Sequence, residues 1–325
     1  MLTNIFYLNE QGKRKNIEDH IFPLPGKATV NDKLFLVCDG VGGLSKGEEA
    51  SRIACESISE YLLRKSKEEI SEVVIKKAVG YALLEMETYA NEHPAAEQMS
   101  TTLTLAYLQN NNGVWVAWCG DSRIYHIRDG KVLWRSKDHS LVQQLIDNGE
   151  ITAEEAIHHP QKNIILRSLS ATQRDSKIDT YLLENILAGD YLLLCTDGIL
   201  ENIDDIAIRD ILGTQQKETD KKKLFLKYCD NKTSDNFSMY LLEFSGSNKL
   251  IHNKNNYVTF VLLGLMVLIA FSYLCYIYLL PKLSLPIYNS KKDTISHPTH
   301  TLVSEDSMIK LLNKKMTREI DRKRK

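Results

Sequence analysis

Three stretches of this chain are apolar from end to end and stop at turn-forming residues: Leu34-Phe-Leu-Val-Cys38, Val114-Trp-Val-Ala-Trp-Cys119 and Tyr191-Leu-Leu-Leu-Cys195. Runs this short and unbroken predict strands buried on both faces, not helices. Weaker strand patterns lie at Ile5–Leu8, Thr101–Gln109, Arg123–Arg128, Lys131–Arg135, Ile164–Leu169, Ile178–Leu183 and Phe237–Phe244. Asn110-Asn-Asn-Gly113 and Asp129-Gly130 read as hairpin turns, so the strands from Thr101 to Arg135 are expected to form a meander. Apolar residues at three- and four-residue steps predict amphipathic helices over Glu48–Lys65 and Glu68–Asn91, joined near Ser66. Shorter helices are expected at Ser140–Asn148 and at Thr152–Ile157, the second opened by a Thr152-x-x-Glu155 capping box, and a helical stretch from Ile203 to Asp230 breaks near Gly213. Helices gathered in pairs among many strands predict an α+β sandwich, largely antiparallel, over residues 1–244, and argue against a Rossmann or barrel fold.

Each of the three buried runs releases an aspartate at its C-terminal end: Asp39-Gly40, Gly120-Asp121 and Thr196-Asp197-Gly198. Asp235-Asn236 opens the last strand, and if that strand runs antiparallel to the others, all four aspartates meet at one rim. Like charges at a core edge repel and lose hydration, which raised pKa values or a bound cation must offset. An all-oxygen donor set favours Mg²⁺ or Mn²⁺ over zinc or copper. Gly40, Gly42 and Gly43 allow the backbone to approach a ligand closely. A plain Asp-Gly turn is the other reading of any one such dipeptide, as at Asp129-Gly130, and the adjacent Glu18-Asp19 also reads as a solvated charge run.

Charge is uneven along the 325 residues: 281–325 carry 11 Lys+Arg against 5 Asp+Glu, whereas 1–280 carry 30 against 37. The acidic first part excludes nucleic acid binding by bulk charge. Six scattered cysteines, none in a Cys-x-x-Cys pair, read as reduced and buried, and no secretory signal peptide is expected at the N-terminus. Tyr257–Leu280 holds 24 residues without a charged side chain, which as a helix span about 36 Å and are expected to cross a membrane once. The expected organisation is therefore a catalytic domain at 1–244, a polar linker at 245–256, the transmembrane helix and a basic tail at 281–325.

In order and spacing, Arg14-x-x-x-Glu18-Asp19, Asp39-Gly-Val-Gly-Gly43, Gly47-x-x-Ala50-Ser51, Ser100-Thr-Thr102, Gly120-Asp-Ser-Arg123, His159-Pro160 with Asn163-Ile164, Thr196-Asp-Gly198 and Asp235-Asn236 resemble the metal-dependent protein phosphatases of the PPM, or protein phosphatase 2C, family. The resemblance implies a four-layer α-β-β-α sandwich with a two-metal centre, Mn²⁺ or Mg²⁺, at one end of the paired sheets. By position, Glu18, Asp39 and the carbonyl of Gly40 would hold one ion, and Asp39, Asp197 and Asp235 the other, with Asp39 as the bridge. Asp121, with Asp197, matches the ligands of a third, weaker metal; Arg14 matches the residue that grips the substrate phosphate; Asp19 would stand behind the ligands. The implied reaction is direct attack on phosphoserine or phosphothreonine by a metal-bridging hydroxide.

Two positions depart from the family pattern: Val41 stands where many members have a histidine that serves as general acid, and Ile17 where many bacterial members have asparagine. His139, His158 and His159 are candidates for the acid, with a structural or surface role as the other reading of each. Other functions compatible with the fold are a catalytically silent phosphoprotein sensor, against which the intact aspartates argue, and a metal-dependent nuclease or small-molecule phosphatase. The expected partners are phosphoproteins made by a serine/threonine kinase and a membrane. Basic residues flank the apolar segment almost evenly, Lys249 and Lys254 against Lys282, Lys291 and Lys292. The unpaired cysteines and missing export signal predict a cytoplasmic catalytic domain, with a tail kept inside near anionic lipid as the alternative.

Overall fold

The computed structural model describes residues 1–41, 46–65, 69–111, 113–175, 177–213 and 218–245, all within the unit Met1–Ile251. Gly42 and Gly43, the joint near Ser66, most of the linker, the apolar segment Tyr257–Leu280 and the basic tail lie outside the described residues. Among the described residues no helix is long and apolar enough to cross a membrane.

Two antiparallel sheets form the centre. One holds β1 (Leu2–Glu10), β12 (Phe237–Phe244), β11 (Asp190–Cys195), β7 (Arg123–Arg128) and β8 (Lys131–Arg135), side by side in that order. The other runs β10 (Asp179–Leu183), β6 (Val114–Cys119), β5 (Leu103–Leu108), β3 (Leu34–Val41), β4 (Ser100–Thr101) and β9 (Leu169–Ser170), with β2 (Asp19–Phe22) also paired to β3.

The buried runs work as their lack of alternation predicts. Along β3, Phe35 and Val37 point into the core between the sheets, while Leu34, Leu36 and Cys38 pack under the helices α1 (Gly47–Arg64) and α2 (Glu72–Glu92). Along β11, Leu192 and Leu194 face the inter-sheet core, and Leu193 and Cys195 face α6 (Asp205–Gly213) and α7 (Glu218–Cys229). Three cores in succession thus give helices, sheet, sheet, helices. Full burial of each such leucine contributes roughly 2 kcal/mol.

Several expectations need correction. The strands from Thr101 to Arg135 are not one meander. β5 and β6 pair in one sheet and β7 and β8 in the other, and the chain changes sheets across Gly120-Asp121-Ser122, where Cys119 pairs with Leu103 and Arg123 with Cys195. Nor is Ile164–Leu169 a strand: only Leu169–Ser170 joins a ladder. Its amides and carbonyls instead hold the approach to α3 (Leu141–Asp147), through Leu141 N–H to Ile164 O at 2.9 Å and Leu166 N–H to His139 O at 2.7 Å, leaving the Ile164 and Leu166 side chains exposed. The charge pair Glu18-Asp19 leads directly into β2, so it is not a solvated run, and Asp19 is buried. The short helix α5 (Asp197–Leu200) follows β11 without an apolar pattern to announce it. The capping box forms at α4 (Ala153–Ile157), where Thr152 Oγ1 accepts from Glu155 N–H and Glu155 accepts from Thr152 N–H.

Candidate metal centre

Antiparallel pairing brings the four strand-end aspartates to one rim, as the strand pattern requires. β12 runs opposite to β11 with Met239 beside Cys195, so Asp235 at its start lies by Asp197 at the other's end. β2 and β3 place Asp19 directly opposite Asp39. The backbone of Asp39 is fixed by the Ser100-Thr-Thr102 motif: its N–H donates to Thr102 Oγ1 at 3.0 Å, and its carbonyl accepts from Thr102 N–H and Thr101 Oγ1, both at 2.8 Å.

The sheet-switching loop carries Asp121 into the same neighbourhood. Gly120 adopts φ +101°, and a Cβ there would lie 2.7 Å from Thr102 Cγ2, so only glycine fits. Ser122, fully buried, hydrogen-bonds Thr102 Oγ1 at 2.7 Å and so ties this loop to the residue that holds Asp39. Arg123 forms a two-pronged bond to Asp138 at 2.8 and 2.7 Å, which anchors the loop's far end. At the third strand end, Thr196 donates through Oγ1 to Asp19 Oδ2 at 3.1 Å and accepts from Ser238 N–H at 3.0 Å.

The electrostatics of the rim are those of a site built for positive charge. Burial, reinforced by Asp19, Asp197, Asp121 and Asp235, pushes the Asp39 carboxyl well above the usual carboxylate range. Burial and then Asp197 raise Asp121, and burial and then Asp235 raise Asp197. Glu18 is raised by burial and by Glu48 at the start of α1. One oxygen each of Asp19, Asp121 and Asp197 is buried without a hydrogen-bond partner, an arrangement that costs free energy unless something cationic satisfies it.

Glu18 and Gly40 meet the first turn of α1. Ser51 Oγ donates to Glu18 O, Gly40 N–H donates to the same carbonyl at 3.1 Å, and a Cβ on Gly47 would lie 3.0 Å from Glu18 Oε2. Two glycines, Gly40 and Gly47, therefore let strand and helix close behind the Glu18 carboxylate. Arg14, half exposed, reaches Asp235 Oδ2 at 2.6 Å. Among the described residues no three His, Cys, Asp or Glu side chains stand in a closed metal-holding arrangement; the carboxylates share a neighbourhood and repel one another across it.

His139 is buried with both ring nitrogens engaged: Nδ1 accepts from Gly120 N–H at 3.2 Å and Nε2 faces Asp179 at 3.1 Å. It is a prop for the Gly120–Asp121 loop, not a proton donor to a substrate. His158 and His159 close α4, and His159 Nδ1 accepts from Gln161 N–H within its own turn at 3.2 Å.

The sequence model of protein phosphatase 2C matches residues 15–224. The chain belongs to the protein phosphatase 2C family. It is 32% identical over 226 residues to the protein phosphatase PhpP of Streptococcus pneumoniae, covering 67% of this chain and 87% of that protein. The crystal structure of serine/threonine phosphatase Stp1 from Staphylococcus aureus superposes with a TM-score of 0.65 at 28% identity, over 76% of this chain and 96% of the other. A structure of the catalytic domain of the phosphatase PstP, in complex with two manganese ions, superposes with a TM-score of 0.58 at 26% identity, over 75% and 98%. The protein phosphatase 2C motifs thus lie together in this chain, and the geometry assigns work to residues that the motif reading left unexplained: Thr102 and Ser122 as a bridge between two aspartate loops, His139 as a prop, and Asn236 beside Asp235. A polar residue beside three of the four strand-end aspartates, Ser122, Thr196 and Asn236, was the available signal, but their partners lie 20 to 225 positions away and no local pattern names them.

Proposed function

We propose that this chain is a metal-dependent protein serine/threonine phosphatase attached to a membrane by its C-terminal segment. The observation that carries the first half is the set of buried, unpartnered and mutually repelling carboxylate oxygens at a rim that Arg14 overlooks. Relatives named as serine/threonine phosphatases, and one solved with two manganese ions, support it.

The donor set suits hard divalent cations: by the family's motif positions, Glu18, Asp39 and the Gly40 carbonyl would hold one ion, Asp39, Asp197 and Asp235 the other, and Asp121 with Asp197 a third. When bound, Mn²⁺ or Mg²⁺ activates water as a nucleophile and neutralises charge on the phosphoryl group. The chain's own residues then do three things. Asp39, held at both its N–H and its carbonyl, cannot swing away from the rim. Arg14 offers a planar fork for the substrate phosphate, and because half its side chain is in solvent, turning from Asp235 to a phosphate dianion meets little resistance. Val41, where many family members have a histidine, offers no side-chain proton to the leaving oxygen.

The substrates are phosphoproteins made by a serine/threonine kinase. The catalytic domain faces the cytoplasm and Tyr257–Leu280 crosses the membrane once; an uncharged run of 24 residues supports this reading. The full-length chain in detergent should release phosphate from a phosphothreonine peptide with Mn²⁺ and stop when EDTA is added. No release with metal present, or undiminished release by Asp39→Asn, would sink the mechanism. For topology, alkaline phosphatase fused after Lys325 should be active outside the cytoplasm; an inactive fusion contradicts the predicted orientation.

A further inference from the structure

Asn236 opens β12, and its side chain is almost fully buried at 3% exposure. Its carboxamide makes three hydrogen bonds, all to backbone groups more than 200 positions away. Oδ1 accepts from Glu18 N–H at 2.8 Å, and Nδ2 donates to Gln11 O at 2.7 Å and Asn16 O at 2.9 Å. Its own N–H donates to Asp235 Oδ1 at 2.8 Å.

The segment so gripped is the one that needs it. Residues 11–17 are exposed throughout and belong to no helix or strand, yet they carry Arg14. Apart from Asn236, the segment is braced from within by Gln11, whose Nε2 donates to Arg14 O and Lys15 O, each at 2.8 Å. Gly12, at φ +61°, packs so close to the strand that a Cβ would lie 2.0 Å from Asp235 O, and Gly198 packs as tightly on the Asn236 carbonyl. The Asn236 backbone is therefore fixed against the Asp197 loop, and its side chain transmits that fixed position to both ends of the Arg14 segment and to Glu18.

We propose that Asn236 is the positioning residue that holds the Arg14 loop and the Glu18 backbone in register with Asp235, so that the phosphate-gripping guanidinium and the rim carboxylates are set by one side chain. No aspartate or leucine does this work, because the site asks for two donors and one acceptor from a single planar group. The functional half of the inference rests on the phosphatase reading; the bracing of the loop does not.

Two variants of the full-length chain test it. Asn236→Leu keeps the branched shape and heavy-atom count and removes all three bonds. Gln11→Ala, at an exposed position where folding is not at risk, removes only the inner brace. The first readout is trypsin cleavage after Lys13, Arg14 and Lys15, followed by mass spectrometry. Cleavage in the folded chain should rise about tenfold in Asn236→Leu and by a smaller factor in Gln11→Ala. The second is kinetic: KM for p-nitrophenyl phosphate should rise about tenfold with a smaller change in kcat, and inhibition by inorganic phosphate should weaken in parallel. Unchanged cleavage in Gln11→Ala and in folded Asn236→Leu overturns the bracing whatever the activity. Should Asn236→Leu fail to fold, Asn236→Asp, which keeps the Oδ1 acceptor for Glu18 N–H but loses both donors to Gln11 O and Asn16 O, decides both readouts. Faster cleavage with an unchanged KM and unchanged phosphate inhibition overturns the link to Arg14. A wild-type chain that turns over no phosphoester sinks the reading of the site instead, and the cleavage pattern still decides the bracing.

Discussion

Neutralising Asp121 should stabilise the metal-free protein, although it removes a carboxylate of the proposed metal centre. Burial, then Asp197 and Asp138, pushes the Asp121 carboxyl from the usual 3.8 to about 7, and one of its oxygens has no partner. A carboxyl whose folded pKa lies above its unfolded one holds its proton more tightly when folded. Stability is therefore lost as pH rises from about 4 to about 7, and the whole loss is present above that window. Roughly three pKa units at about 1.4 kcal/mol each set an upper figure near 4 kcal/mol. Asp197 adjusts to the same repulsion, so Asp121→Asn should recover roughly 2 to 4 kcal/mol. For a domain of about 250 residues that is a rise in Tm of about 5 to 15 °C. Thermal unfolding followed by circular dichroism in EDTA, at pH 8 and at pH 4, reads this directly. The variant should melt higher at pH 8, the gap should close at pH 4, and excess Mn²⁺ should reverse the order by stabilising the wild type more. A variant that melts no higher at pH 8 without metal, or by the same margin at both pH values, refutes the reasoning.

Arg14→Ala should raise KM for p-nitrophenyl phosphate about 10- to 100-fold, the loss of a charge-assisted two-pronged bond, with phosphate inhibition weakened to match in steady-state kinetics. Gly120→Ala meets both a left-handed backbone and Thr102, so it should cost roughly 2 to 4 kcal/mol in urea unfolding and lower activity by moving the Asp121 loop. Far from the rim, burial pushes the Asp190 carboxyl up, but Arg128, His126 and Leu187 N–H outweigh it and hold the carboxyl down at about 2. A depressed carboxyl stabilises above its unfolded pKa, so roughly 2 kcal/mol should be lost as pH falls from about 4 to about 2, and Asp190→Asn should flatten that limb of the urea midpoint against pH.

The strands that end in the site were legible because burial on both faces leaves an unbroken apolar run, and an aspartate after such a run stands out. Leu34–Cys38 and Tyr191–Cys195 are of this kind. β2 was hidden because it has only four residues and begins with a charge that the fold buries. The change of sheet at Gly120–Ser122 was hidden for another reason: β6 and β7 have similar patterns, and only the pairing of Cys119 with Leu103 and Arg123 with Cys195 separates them. Ile164–Leu169 misled because its apolar content serves an exposed connection, not a ladder. The carboxylates that meet at the rim could be named from strand ends and motif positions. Thr102, Ser122, His139 and Asn236, which tie the surrounding loops together, act through a few long-range hydrogen bonds that leave no periodic trace.

Calorimetric titration of the chelator-treated full-length chain with Mn²⁺ tests the central claim most directly, because it asks whether the repelling rim is a metal centre apart from any substrate. The wild type should bind at least two ions per chain, and Asp39→Asn, at the shared position, should lose that binding while remaining folded by circular dichroism. Absence of Mn²⁺ binding by the wild type would mark a phosphoprotein-binding module without catalysis, and binding unchanged by Asp39→Asn would place the metal somewhere other than this rim.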